Sequence, residues 1–182
     1  MPENLIEATR RHQADNEEER VHQDAILDWL RTATAPLDRN NYNPGHATGS
    51  ALILSEQKRV ALIFHSKLQL WVQPGGHAES GETDVLNVAS REASEELGIA
   101  IGPDQLELFD LDVHRIAPTD DEPVHKHFDF RFLAVVEAVD LEPGSDAEDA
   151  QWFTRSQLGS LGLDPGLRRM ADKAVARNLL IP

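Results

Sequence analysis

The spacing of apolar positions changes twice along the chain, and the changes mark out its elements. Val21, Ala25, Ile26, Trp29 and Leu30 recur at helical spacing, behind Asp15, Asn16 and a run of glutamates that suit the start of a capped helix. Such a stripe must bury against something. The sequence leaves open whether this chain or a second copy covers it, so a homodimer through the N-terminal helix is one expectation. Trp29 on the stripe is expected to pack rather than to touch a ligand. From Pro36 to Gly45, turn residues (Asp38, Asn40, Asn41, Asn43, Pro44) predict a linker.

From Gly49 onward the pattern shortens to strand-like runs. Residues 51–54, 60–64 and 68–72 read as strands, with turns at 56–59 and near Ser66. Residues 106–116 and 125–136 read as long strands joined by an acidic loop at 118–123, and 151–153 as a last one. Helical spacing returns at 156–158 and again from Asp164-Pro165 to Leu180, where Leu167, Met170, Ala174 and Asn178 share a face. This order of elements predicts a mixed sheet covered by helices, α/β or α+β in class.

Two stretches carry chemistry. In the 125–136 strand, Phe128, Phe130 and Phe132 point to one face, and His125, His127, Asp129 and Arg131 to the other. A polar strand face suits either a cleft or a wet edge strand. In a cleft, His125, His127 and Arg131 are candidates for contact with a phosphate or leaving group. The His-x-His-x-Asp spacing alone does not predict a metal site, because every ligand would come from one strand and no fourth is evident.

The second stretch, Pro74 to Ile99, holds a Gly-rich turn and a helix predicted from about Asp84 to Leu97. Thr83 or Asp84 caps its start, and Gly98 stops it, with Ile99 folding back as in a Schellman ending. Leu86, Ala89, Ala93 and Leu97 form an apolar stripe, while Glu92, Glu95 and Glu96 fall at i, i+3 and i+4 on another. A solvated helix face accounts for such acids in general. Three like charges so close also suit a divalent cation, and Mg²⁺ favours hard oxygen ligands beside a substrate phosphate.

The residues Gly76, Glu82, Arg91, Glu92, Ala93, Glu95, Glu96, Gly98 and Ile99 stand in the order of the Nudix box, and the stretch resembles the Nudix hydrolase superfamily. Between Glu82 and Arg91 lies one residue more than the family pattern has. The resemblance implies an α/β/α sandwich over residues 46–161, with residues 1–45 as a helical extension and linker and 162–182 as a C-terminal helix. It implies Mg²⁺-dependent hydrolysis of the diphosphate linkage in a nucleoside diphosphate joined to another group, with Mn²⁺ as a substitute metal. Glu92, Glu95 and Glu96 are then metal ligands, and Glu92 is the leading choice for the base. Gly75 offers a backbone carbonyl to the metal, and Arg91, Glu82 and Gly76 support the loop. A further acid downstream is expected near the metal, Glu148 first and Asp149 second. His77 is a candidate phosphate contact. Markers of ADP-ribose and dinucleoside polyphosphate hydrolases are absent: Arg115 stands where a Pro or Tyr is usual, and the only tyrosine is Tyr42. The rival expectation is a Nudix-fold sensor or interaction module that binds a nucleotide without cleaving it. An isomerase on the same fold usually relies on a cysteine.

Composition narrows the field. In 182 residues there is no cysteine, which excludes disulfides and cysteine nucleophiles and agrees with a reducing cytoplasm. A net charge of −15 argues against a nucleic-acid partner, since counterion release needs Lys and Arg clusters. No window is apolar enough for a membrane span, and the polar N-terminus lacks the core of a signal peptide. The expected partner is therefore a small nucleotide derivative, with metal offsetting the long-range repulsion of its phosphates.

Overall fold

Seven strands build one mixed sheet in the computed structural model, which describes residues 2–181. They are β1 (Gly45–Ser55), β2 (Val60–His65), β3 (Leu70–Val72), β4 (Gly75–His77), β5 (Glu107–Ile116), β6 (His125–Val136) and β7 (Ala147–Phe153). The order is β3-β2-β1-β6-β5, with β4 also paired to β1 and β7 to β2. β1 and β6 run parallel; the other pairs are antiparallel.

β1 is longer than its apolar run suggested. β6 pairs with it from Gly45↔Lys126 to Ser55↔Val136, so hydrogen bonding extends the strand through polar Thr48 and Ser50. The linker is correspondingly short and partly packed: Leu37 is buried, and the Ala47 N–H donates to the Pro36 carbonyl at 2.6 Å. β6 lies between β1 and β5, which removes the edge-strand reading of its polar face.

Helices cover both faces of the sheet. On one, α3 (Val85–Leu97) packs Val85, Ala89, Ala93 and Leu97 against Ala51, Ile53, Phe128, Phe130 and Phe132. On the other, α5 (Pro165–Ala176) and the short α4 (Arg155–Leu158) pack Leu158, Leu167, Met170 and Ala174 on Leu52, Leu54, Leu62, Phe109 and Leu133. The alternation of β1 and β6 thus feeds two cores, as a sheet buried on both faces requires. α5 ends before Asn178, which turns left-handed at φ 58°, and Leu180 folds back into the core in its place.

Two helices precede the sheet, α1 (Pro2–Arg11), which the apolar pattern did not signal, and α2 (Glu17–Leu30). Asn16 caps α2, accepting the Glu19 N–H at 2.9 Å. Ile26, Trp29 and Leu30 are buried, and the Trp29 ring stacks on Phe128 with centroids 3.8 Å apart and planes 2° from parallel. The chain itself covers Ile26, Trp29 and Leu30 of the stripe, so their burial needs no second copy. Val21, expected on the stripe, is 57% exposed. Glu19 takes an interior place instead, with the Lys173 ammonium donating to its carboxylate at 2.7 Å and His12 Nε2 at 2.6 Å. Among the described residues no helix is long and apolar enough to cross a membrane.

Candidate functional site

The acidic helix is fixed at both ends. Asp84 caps α3 by accepting the Leu86 N–H at 2.9 Å, and Gly98 adopts φ 69°. The Gly98 N–H bonds Ser94 O at 3.1 Å, the single bond of an αL ending in place of the Schellman pair. Other carbonyls of the last turn are met from outside: Glu142 N–H donates to Leu97 O at 3.0 Å, and Gly144 N–H to Glu96 O at 3.3 Å. A Cβ at Gly144 would overlap the Glu95 carbonyl, so the chain can run this close only as glycine.

Glu92 and Glu96 project from this helix toward β4, and Glu95 lies beside them at the surface. The Glu96 carboxylate is buried and accepts the Gly75 N–H at 2.9 Å. Burial, reinforced by the neighbouring charges of Glu92, Asp146 and Glu95, pushes its pKa up to about 7 against the pull of that N–H. Burial also raises Glu92, with Arg91 opposing. A side chain at Gly76 would occupy the place of Glu92 Oε1. Two strongly desolvated carboxylates beside a third and a fourth are a donor set suited to a hard divalent cation.

Arg91 binds the loop to the helix. It meets Glu82 at two points, Nε and one terminal nitrogen each 3.1 Å from a carboxylate oxygen, and also lies 3.0 Å from both Glu92 and Glu95. A further bond of 2.9 Å goes to the His77 carbonyl. The extra residue between Glu82 and Arg91 is therefore absorbed without loss of this contact.

These groups line one wall of an open cleft of about 1540 Å³, whose floor is the polar face of β1, β6 and β5. Here Thr48 and Ser50 donate to Asp129 at 3.0 Å. Arg131, expected as a phosphate contact, is 3% exposed and enclosed by Asp129 at 2.8 Å, Asp112 at 3.1 Å and Asp110 at 3.6 Å. These carboxylates balance its charge, and it lines the cleft floor with one terminal nitrogen, Nη1, that has no hydrogen-bond partner. His77 and His127 line the cleft; His125 is buried away from it and is not placed for substrate.

The downstream acid also differs from expectation. Glu148 is exposed and engaged by the Gln69 amide at 2.8 Å, while Asp149 accepts from Ala150 N–H and the Gln151 amide. Asp146 lines the cleft in their stead and contributes to the field on Glu96. Sequence position could not separate these acids. The usable signal was Gly144, two residues earlier, which lets the loop approach α3.

Comparison with known proteins agrees with this architecture. The profile described as NUDIX domain matches residues 44–174. None of the curated proteins compared matches the chain. Among solved structures, the NUDIX domain of Shewanella oneidensis NrtR in complex with ADP ribose superposes with a TM-score of 0.58 at 15% identity, over 83% of this chain and 97% of that one. Escherichia coli dihydroneopterin triphosphate pyrophosphohydrolase gives 0.57 at 17% identity, over 71% and 95%. A Caenorhabditis elegans Ap4A hydrolase binary complex gives 0.55 at 16%, over 72% and 96%. At such identities the likeness is one of fold.

Proposed function

Because the chain belongs to the NUDIX domain family, we propose that it is a metal-dependent hydrolase of the diphosphate linkage in a nucleoside diphosphate derivative. At family level the activity is pyrophosphate hydrolysis on nucleotide-related compounds; the metal and the residue roles are this proposal's own. The observation that carries it is the convergence of Glu92, Glu96 and Asp146 on the cleft wall formed by β4, with Arg91 locking loop and helix together.

Glu92, Glu95 and Glu96 would hold Mg²⁺, or Mn²⁺ in its place, joined by the backbone at Gly75 and by the carboxylate of Asp146, which lines the same cleft. When bound, the ion supplies charge neutralisation and Lewis acidity toward the diphosphate. The chain's own part is to orient and to move a proton. Arg91 keeps the acid face in one geometry and balances its charge before substrate arrives. Glu92, partly exposed at the cleft, accepts the proton of the attacking water. The cleft exceeds the roughly 300–1,000 Å³ of an ordinary small-ligand pocket, which suits a substrate with a group on each side of its diphosphate. Residues 46–161 form the hydrolase unit, and α2 and α5 complete its floor from the flanking segments.

The test is product release from nucleoside triphosphates, NDP-sugars, ADP-ribose, dinucleoside polyphosphates and dinucleotide cofactors, with Mg²⁺, Mn²⁺ or EDTA. Metal-dependent turnover lost in Glu96→Gln supports the proposal. Silence across the panel, with calorimetry still detecting nucleotide binding, replaces it with the sensor reading.

A further inference from the structure

A second cluster of ligating side chains stands beside the acidic site. His46 of β1 and His127 of β6 are register partners, and His125 lies two residues along on the same face. β4 places His77 opposite Thr48, next in line on that face. One ring nitrogen from each of His46, His125 and His127 lies within 4.8 Å of the others. His127 Nε2 is 3.2 Å from His125 Nε2 and 3.1 Å from His77 Nε2.

The outer nitrogens explain how the inner ones point. His46 Nδ1 bonds the Asn41 carbonyl at 3.2 Å, and His125 Nδ1 bonds the Pro123 carbonyl at 2.8 Å. A carbonyl only accepts, so each Nδ1 carries a proton and each Nε2 is turned inward, the nitrogen whose lone pair a metal ion would take. This is the carbonyl support that orients metal-ligating histidines. His46 is 1% exposed, and its Nε2 has no hydrogen-bond partner. A buried acceptor left unsatisfied costs about 1–3 kcal/mol in general, so its presence calls for a partner.

We propose that His46, His125 and His127, with His77 as the fourth ligand, bind one transition-metal ion of the Zn²⁺ class. A tetrahedral ion with Zn–N of about 2.0–2.1 Å sets its nitrogens about 3.3 Å apart, close to the two spacings at His127. Imidazole nitrogens favour Zn²⁺, Cu²⁺ or Ni²⁺ over Mg²⁺, which separates this site from the oxygen donors on α3. The ion would join β4 to β1 and β6. β4 is the strand whose Gly75 N–H holds Glu96 and whose His77 carbonyl holds Arg91, so the ion steadies the wall that carries the acids.

The experiment is calorimetric titration of EDTA-stripped protein with Zn²⁺ in excess Mg²⁺, with Co²⁺ as a spectroscopic probe. One Zn²⁺ per chain, tetrahedral Co²⁺ bands, and affinity lowered about a hundredfold or more in the His46→Ala/His127→Ala double variant are expected. Glu92→Gln and Glu96→Gln should keep Zn²⁺ binding. Unchanged affinity in the histidine variant, or loss in the glutamate variants, overturns the site. Should the histidine variant fail to fold, X-ray absorption of the wild-type Zn²⁺ complex decides: an imidazole shell supports the site, and an oxygen-only shell overturns it. None of these readouts depends on hydrolytic activity.

Discussion

Arg91 and Glu82 meet in a two-point ion pair, both contacts at 3.1 Å, across a loop one residue longer than the family pattern. The same guanidinium reaches Glu92, Glu95 and the His77 carbonyl, so one planar fork fixes loop, helix and strand. A lysine ammonium is a point charge and cannot match that fork. Arg91→Lys should lower turnover by about tenfold or more with an unchanged far-UV circular dichroism spectrum. Wild-type turnover in that variant would show that the loop needs no such lock.

The acids on α3 are unequal. Glu92 and Glu96 are enclosed, whereas the Glu95 side chain is 58% exposed and tied to Arg91. Glu96→Gln and Glu92→Gln should each lower turnover by about a hundredfold or more, and Glu95→Gln by less. Steady-state kinetics at saturating Mg²⁺ gives the order, and equal losses in all three would refute it.

Asp146 and Glu148 form a matched pair for comparison. Asp146→Asn should reduce turnover and raise the Mg²⁺ concentration needed for half-maximal rate. Glu148→Gln should leave both near wild type, since the side chain faces Gln69 outside the cleft. The reverse result would restore the order expected from the sequence.

Glu19 links α2 to α5 and gives stability a pH dependence. Burial works against its charge, yet hydrogen bonds from His12, Lys173 and the Asp15 backbone outweigh it and hold the pKa at about 2, below the ordinary 4.5. The unfolded chain binds this proton more readily, so the stabilisation is complete above about pH 4.5 and is lost as pH falls toward 2. Thermal midpoints across that window should fall less steeply in Glu19→Gln than in the wild type. Lys173→Met strands the carboxylate and should cost about 3–5 kcal/mol at neutral pH by urea unfolding.

Trp29→Ala removes a ring stacked on Phe128 and opens the core under α2. A loss of about 3–5 kcal/mol is expected from denaturant unfolding. A loss below about 1 kcal/mol would mean that α2 contributes little to the fold.

Local features were readable wherever neighbours in sequence decide the structure. The α3 caps at Asp84 and Gly98, the acids at i, i+3 and i+4, and the alternation of Phe128, Phe130 and Phe132 against Asp129 and Arg131 all follow from helix and strand periods. Those periods assign a residue to a face. They do not say what stands opposite it. Glu19 resembled a helix-start acid until Lys173 from the far end of the chain met it. Arg131 resembled a free cation until Asp110 and Asp112 of β5 enclosed it.

The sequence by itself therefore determined most elements, the fold class and the acidic helix, because these rest on local geometry and on a motif whose block from Arg91 to Ile99 is intact. Tertiary structure alone decided that α2 closes on its own chain, that Asp146 and not Glu148 faces Glu96, and that His46 joins His125 and His127. Each is a matter of register between segments distant in sequence. One strand periodicity is compatible with many pairings, and only the packing of both sheet faces selects among them.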